Sequence, residues 1–422
     1  MKINALLIIL ILGIQPLSFI SWGGGGDDLR MTSRQDQLMA DGIPGTYGKL
    51  SDMKNCQSKE MKFINCHLIQ NNLPANGDFK GTTVIIDDGL SLNTWRKLEE
   101  NFVDIVRYVT LDPTTGKIKE FGSEGKDCKT LFTFSWRGIK RCSLFSYLSY
   151  LSYDDQTHGA MVASAFGTIA KGAKIIFVDT TFLGDSSGLE FGIPLVQWLN
   201  NAVLPYNIKV VSMSWSGPDP RNKAQVDALL DSLYLNGVFL VSSIGNDGKN
   251  RGDAFPQNHR FVYAVGSVDH ENRGLPWDTD YFSSYGKFSG DVAYYNSRDC
   301  SSTGLTFCSS YGDSSFGSKA TDFVMPGNGV LTAQFDAEIY VAKYSFGTSF
   351  STPYLAAAAL IAQYAYFLGM EQNYGSGAYL SPADLYEVLK ASSSRTSWSP
   401  YLGWGYIDLD FLYDYARNLA GE

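Results

Sequence analysis

The stretch that most limits the fold is the apolar run Tyr354-Leu355-Ala356-Ala357-Ala358-Ala359-Leu360-Ile361-Ala362. It is rich in good helix formers and shows no polar face until Gln363, so it predicts a helix buried on all sides. Directly upstream lies a turn of small polar residues, Gly347-Thr348-Ser349-Phe350-Ser351-Thr352-Pro353. Pro353 fits the first turn of that helix, where a missing N–H costs nothing. Ser349 then sits at or just before the positive end of the helix dipole, where negative charge on an attacking oxygen is stabilised. Ser349 or Ser351 equally reads as a plain N-cap. The rest of the chain decides between the two.

Short β-branched or apolar runs at 82–86, 173–178, 208–213, 237–241 and 261–266 predict strands without clear polar alternation. Helix-length stretches at 159–169, 189–203 and 223–235 lie between them. Strands and helices interleaved in this way predict an α/β fold with a mainly parallel central sheet and helices on both faces. Functional residues of such sheets gather at the carboxyl ends of the strands. Asp87 follows its strand directly, and Asn246 lies a few residues past the end of another.

Two stretches interrupt the alternation. Residues 98–153 carry Cys128 and Cys142, and residues 286–321 carry Cys300 and Cys308. Both read as disulfide-pinned surface insertions. With Cys56 and Cys66 the chain has 6 cysteines, which fits an exported protein with up to three disulfides. They fall into neighbouring pairs along the sequence, and the connectivity stays open. Export is also the reading of residues 1–23, where Lys2 precedes an apolar run broken by Gln15-Pro16, with Ser21 and Gly23 at a cleavage site. Residues 24–75 show no strong periodicity and read as a pro-segment, a linker or a surface extension. The expected location is secreted, with no membrane contact once the signal is removed. A formal charge of −9 argues against nucleic acid or an anionic membrane as partner.

The chain has only 4 histidines: 67, 158, 259 and 270. A serine nucleophile needs a base, most often His, oriented by a third group. His158 opens the small-residue stretch His158-Gly159-Ala160-Met161, and Asp87 ends a buried strand. Each alone has an ordinary reading, as a structural histidine, a turn cap or, for Asn246, a turn residue in Gly245-Asn246-Asp247-Gly248. Their order says more. Asp87-Asp88-Gly89, His158-Gly159, Ser214-Trp215-Ser216-Gly217, Gly245-Asn246-Asp247-Gly248, Pro326-Gly327, Gly347-Thr348-Ser349 and a closing Gly403-Trp404-Gly405-Tyr406-Ile407-Asp408 follow one another. That succession resembles the subtilisin-like serine proteases, or subtilases, over roughly residues 76–417, leaving 418–422 as a tail.

The resemblance implies catalysis by Ser349 as nucleophile, His158 as general base and Asp87 as its orienting carboxylate. Asn246 would donate its side-chain amide to the oxyanion. Ser214, Trp215, Ser216 and Gly217 would pair with an extended peptide, and Ala254 would lie near the floor of the pocket before the scissile bond. Ser216 stands where these enzymes often have Gly. Ala160 and Met161 stand where they commonly have Thr and His. No cofactor is required, structural calcium is compatible with the acidic balance, no metal ligand set is apparent, and polypeptides are the expected partners. Gly184-Asp185-Ser186-Ser187-Gly188 also matches an esterase elbow, with His259 or His270 downstream. A catalytically inactive binding protein of the same fold is the further alternative.

Overall fold

The structure is a computed structural model that describes residues 47–111, 117–122, 158–180, 192–220, 222–246, 250, 254–269, 309–312, 321–336, 339–345 and 347–421. All of these belong to one of the chain's two compact units, Met39–Glu422. The described chain begins with β1 (Tyr47–Gly48) and the short helices α1 (Leu50–Lys54), α2 (Lys59–Phe63) and α3 (Cys66–Ile69). Met53, Met61, Ile64 and Ile69 from this segment join the main core, and Cys56 is disulfide-bonded to Cys66. Residues 47–72 are therefore packed structure rather than a linker. Helices of four or five residues are too short to register as a periodicity, which is why the sequence shows none here.

The central sheet follows. It comprises β2 (Thr82–Asp87), then helix α4 (Leu92–Asn101), β3 (Asp104–Leu111), β4 (Ile118–Phe121), helix α5 (His158–Ile169), β5 (Lys174–Asp179), helix α6 (Gly192–Tyr206), β6 (Ile208–Met213), helix α7 (Lys223–Leu235), β7 (Phe239–Ser243), β8 (Val262–Asp269) and β9 (Phe323–Asn328). The strand order is β4-β3-β5-β2-β6-β7-β8-β9. All neighbours pair in parallel except β4, which closes one edge antiparallel to β3. The insertion expected from residue 98 thus begins later, because 104–111 and 118–121 belong to the sheet. Most of that insertion and of the one at 286–321, with Cys128, Cys142, Cys300 and Cys308, lies outside the described residues, as does the signal segment.

Strand residues alternate between two apolar layers. Ile85, Ile175 and Phe177 face α5, while Val84, Ile86, Ile176 and Val178 face α6 and α7. This two-sided burial explains why the strands read as continuous apolar runs. A smaller sheet of order β1-β11-β10 is formed with β10 (Val330–Asp336) and β11 (Ile339–Ser345).

The organising helix is α8 (Thr348–Tyr374), followed by α9 (Pro382–Ala391) and α10 (Leu409–Leu419). Among the described residues it is the one helix long and apolar enough to cross a membrane, and 78% of its most apolar window is buried inside the protein. It packs on β6–β9, α5 and α10, and is a core helix. Buried Gln363 is satisfied, donating to the Leu380 carbonyl and accepting its N–H, both at 2.9 Å. The helix starts earlier than Pro353 suggested. Its N-cap is Gly347, so Pro353 is in the second turn and denies the Ser349 carbonyl its usual intrahelical donor. Neither Ser349 nor Ser351 is the cap.

Candidate active site

Parallel strands end at a common edge, and β2 lies at the centre of the sheet. The chain leaves β2 toward one side and later continues to the other, the arrangement that opens a crevice at the carboxyl edge. Asp87 is the last residue of β2 and is buried. Its carbonyl accepts both the N–H and the hydroxyl of Thr180 at 2.8 Å, which ties the ends of β2 and β5 together. His158 is the first residue of α5, whose N-terminus points at the same edge. Its Nδ1 lies 2.6 Å from Asp87 Oδ1. With a carboxylate at Nδ1, the neutral ring carries its proton there and leaves Nε2 as the basic atom.

Ser349 is the second residue of α8 and is almost fully buried. Its hydroxyl donates to the Ser214 carbonyl at 3.2 Å, not to the imidazole. The ring of its neighbour Phe350 lies 5.8 Å from that of His158. Asn246 follows β7 and meets α8 one residue before Ser349. Its Oδ1 accepts the Thr348 N–H at 2.8 Å and the Thr348 hydroxyl at 2.9 Å. A backbone N–H only donates, so the amide oxygen must face Thr348 and the NH₂ group must face away. Gly347, at φ +135°, makes the close approach to this amide with a backbone that favours glycine.

The remaining sequence-predicted residues also meet. Ser214 to Gly217 run on from β6. Gly217 and Phe255 exchange backbone hydrogen bonds at 2.8 Å each, which puts Phe255 opposite Gly217 and Ala254 next to that pair. The Trp215 and Phe255 rings are 6.4 Å apart. Ser216 lies beside Gly245, the residue before Asn246. Asp247, Gly248, Asp253, His270 and the stretch 184–188 fall outside the described residues. His259 is buried beside Asp231 and the Asp227 carbonyl, with Nε2 3.2 Å from each, in a structural role away from this edge.

Charge at the edge is concentrated. Burial alone would lower the His158 pKa, but the Asp87 carboxylate, through its charge and hydrogen bond, and Asp88 together raise it to about 9. Burial and the charge of Asp87 push Asp88 up to about 7, against the pull of His158 and of two backbone N–H groups. Asp87, Asp88 and His158 hold potential metal-ligand atoms within 4.8 Å of one another, the one such group among the described residues. Asp87 Oδ1 engages the ring and both Asp88 oxygens accept the N–H groups of His158 and Gly159, whereas the buried Asp87 Oδ2 has no hydrogen-bond partner among the described residues. The group reads as a hydrogen-bonded network. Three contributors escaped sequence reasoning: Thr180 behind Asp87, Thr348 behind Asn246, and Asp88, which the sequence offered only as part of Asp87-Asp88-Gly89.

The sequence model of the subtilase family matches residues 142–405, a range holding His158, Asn246 and Ser349 but not Asp87. No curated protein matches the chain by sequence. The fold is similar to the crystal structure of a lanthipeptide protease, with a TM-score of 0.55 and 14% identity over 88% of this chain and 99% of that one. The structure of the prenylagaramide maturation protease PagA has a TM-score of 0.49 and 16% identity over 83% of this chain and 98% of that one.

Proposed function

This chain belongs to the subtilase family of serine proteases, and on that premise we propose that it is an exported endopeptidase that cleaves internal bonds of extended polypeptides through an acyl-enzyme. The observation that carries the proposal is the 2.6 Å pair of His158 and Asp87 at the edge where α8 presents Ser349. In this reading Ser349 rotates from the Ser214 carbonyl toward His158 Nε2 and attacks the scissile carbonyl. His158 takes the hydroxyl proton and returns it to the leaving amine, while Asp87 holds the ring and stabilises its cationic form. The oxyanion receives the Asn246 amide and the Ser349 N–H, a donor left free near the start of the helix. Ser214, Trp215, Ser216 and Gly217 offer an edge to the peptide, with Ala254 beside the pocket for the side chain before the cleaved bond.

Export rests on the signal-like residues 1–23, and the Cys56–Cys66 disulfide is consistent with an oxidising compartment. The bond from the Ser349 hydroxyl to Ser214 also suits an inactive binding protein, although catalytic hydrogen bonds are often loose before substrate arrives. Casein hydrolysis by wild type and Ser349→Ala separates the two readings. The proposal requires hydrolysis that the substitution abolishes, and equal rates would end it.

A further inference from the structure

We infer that Asp88 is a positioning residue for this reaction: its carboxylate holds the N-terminus of α5 and thereby sets the His158 ring against Asp87. The inference rests on the peptidase reading for its kinetic consequences, but its structural basis is independent of it. One Asp88 oxygen accepts the His158 N–H at 3.1 Å, and the other accepts the Gly159 N–H. The first N–H groups of a helix have no intrahelical partner, and an anion there satisfies them and opposes the helix dipole. In α5 the group that does so comes from the end of β2, next to the residue that binds the ring. Strand, ring and helix are thus closed into one short cycle: Asp87 carboxylate to His158 ring, His158 backbone to Asp88 carboxylate, Asp88 peptide back to Asp87.

Two neighbours show that the contact is built in. A side chain at Gly159 would collide with the Asp88 carbonyl and the Phe177 ring, so the helix reaches Asp88 only because residue 159 is glycine. Asp88 N–H also donates to Asp87 Oδ1 at 2.9 Å, fixing the carboxylate that faces the imidazole. Among the described residues, the charged groups facing His158 are Asp87 and Asp88. The Asp88 charge therefore adds to that of Asp87 in favouring the imidazolium, and it is present at the pH where His158 gives up its proton.

The test compares Asp88→Asn, Asp88→Ser and Asp88→Ala, each counted by active-site titration so that only folded, competent protein is scored. Asn and Ser keep a neutral cap, and the acid limb of kcat/KM is expected to move to lower pH because one negative charge near His158 is gone. Ala also loses the cap, and misplacing the base is expected to lower kcat by about 10²-fold with KM within about twofold. Asn and Ser should recover most of that loss. An identical pH profile and unchanged kcat per titrated site in all three variants would overturn the inference, even if they unfold at lower temperature. The pKa of His158 read by NMR in the Ser349→Ala background gives the same answer without turnover. It must fall in Asp88→Asn. If wild type proves inactive, that arm still decides the role of Asp88, whereas the peptidase reading fails separately.

Discussion

Oδ1 of Asn246 accepts two hydrogen bonds from Thr348, from its backbone N–H at 2.8 Å and its hydroxyl at 2.9 Å. The residue before the proposed nucleophile thus fixes which way the amide points, and the fixed direction leaves the NH₂ group for another acceptor. Asn246→Asp keeps the two acceptor bonds and loses the donor. It is expected to fold as wild type, to keep KM and to lose about 10²–10³ in kcat. Measured kcat within a factor of three of wild type would remove Asn246 from the oxyanion site.

In the proposed mechanism the neutral form of His158 is the base, and Asp87 with Asp88 holds its pKa up to about 9. Activity should therefore rise as pH rises through that ionisation, placing the optimum in the alkaline range. Asp87→Asn removes the larger attraction. It should shift the limb to lower pH and, by freeing the wrong tautomer, cut kcat by about 10⁴. A kcat/KM profile flat from pH 6 to 10 would contradict this.

Glu60 gives a stability prediction of definite sign. It is buried in α2, where Oε1 accepts the Leu331 N–H at 2.9 Å, and burial raises its pKa from 4.5 to about 6. A carboxyl raised on folding supports the fold below its unfolded pKa, and that support is lost as pH climbs through the folded value. Above pH 6 the charged form costs about 2 kcal/mol. Glu60→Gln retains an acceptor for Leu331, so it should melt higher than wild type at pH 8, with the gain disappearing near pH 4.5. The same melting difference at both pH values would show that ionisation is not involved.

The Cys56–Cys66 disulfide closes a short loop, a sequence separation of 10, on a segment that contributes to the main core. By loop-closure entropy it should add about 2–3 kcal/mol. Replacing both cysteines with Ser should lower the melting temperature, and proteolysis should open residues 47–72 first. Equal thermal stability of the variant and the oxidised protein would contradict that assignment.

Much of this fold was legible because burial on both faces leaves an unbroken apolar signal, as in 82–86 and 354–362. The order of Asp87, His158, Asn246 and Ser349 was legible because each sits beside small or glycine residues, demanded at Gly159 by the close approach of the Asp88 carbonyl and at Gly347 by a positive φ. What stayed hidden is what long-range pairing decides. The helices of 47–72 owe their place to contacts with residues hundreds of positions away, such as Asn65 donating to Asp408 at 2.9 Å. The helix start at Thr348 rather than near Pro353 is set by Gly327, whose carbonyl accepts the Gly347 N–H at 2.6 Å. Thr180, Thr348 and Asp88 support the site through hydrogen bonds that no local pattern announces.

The most direct measurement is stoichiometric labelling of the folded protein by a serine-directed phosphonylating reagent, with the modified peptide mapped by mass spectrometry. The account predicts one label per chain on Ser349, none on Ser349→Ala, and much slower labelling of His158→Ala. Folded wild-type protein that takes up no label, or takes it on a different serine, would contradict the central claim.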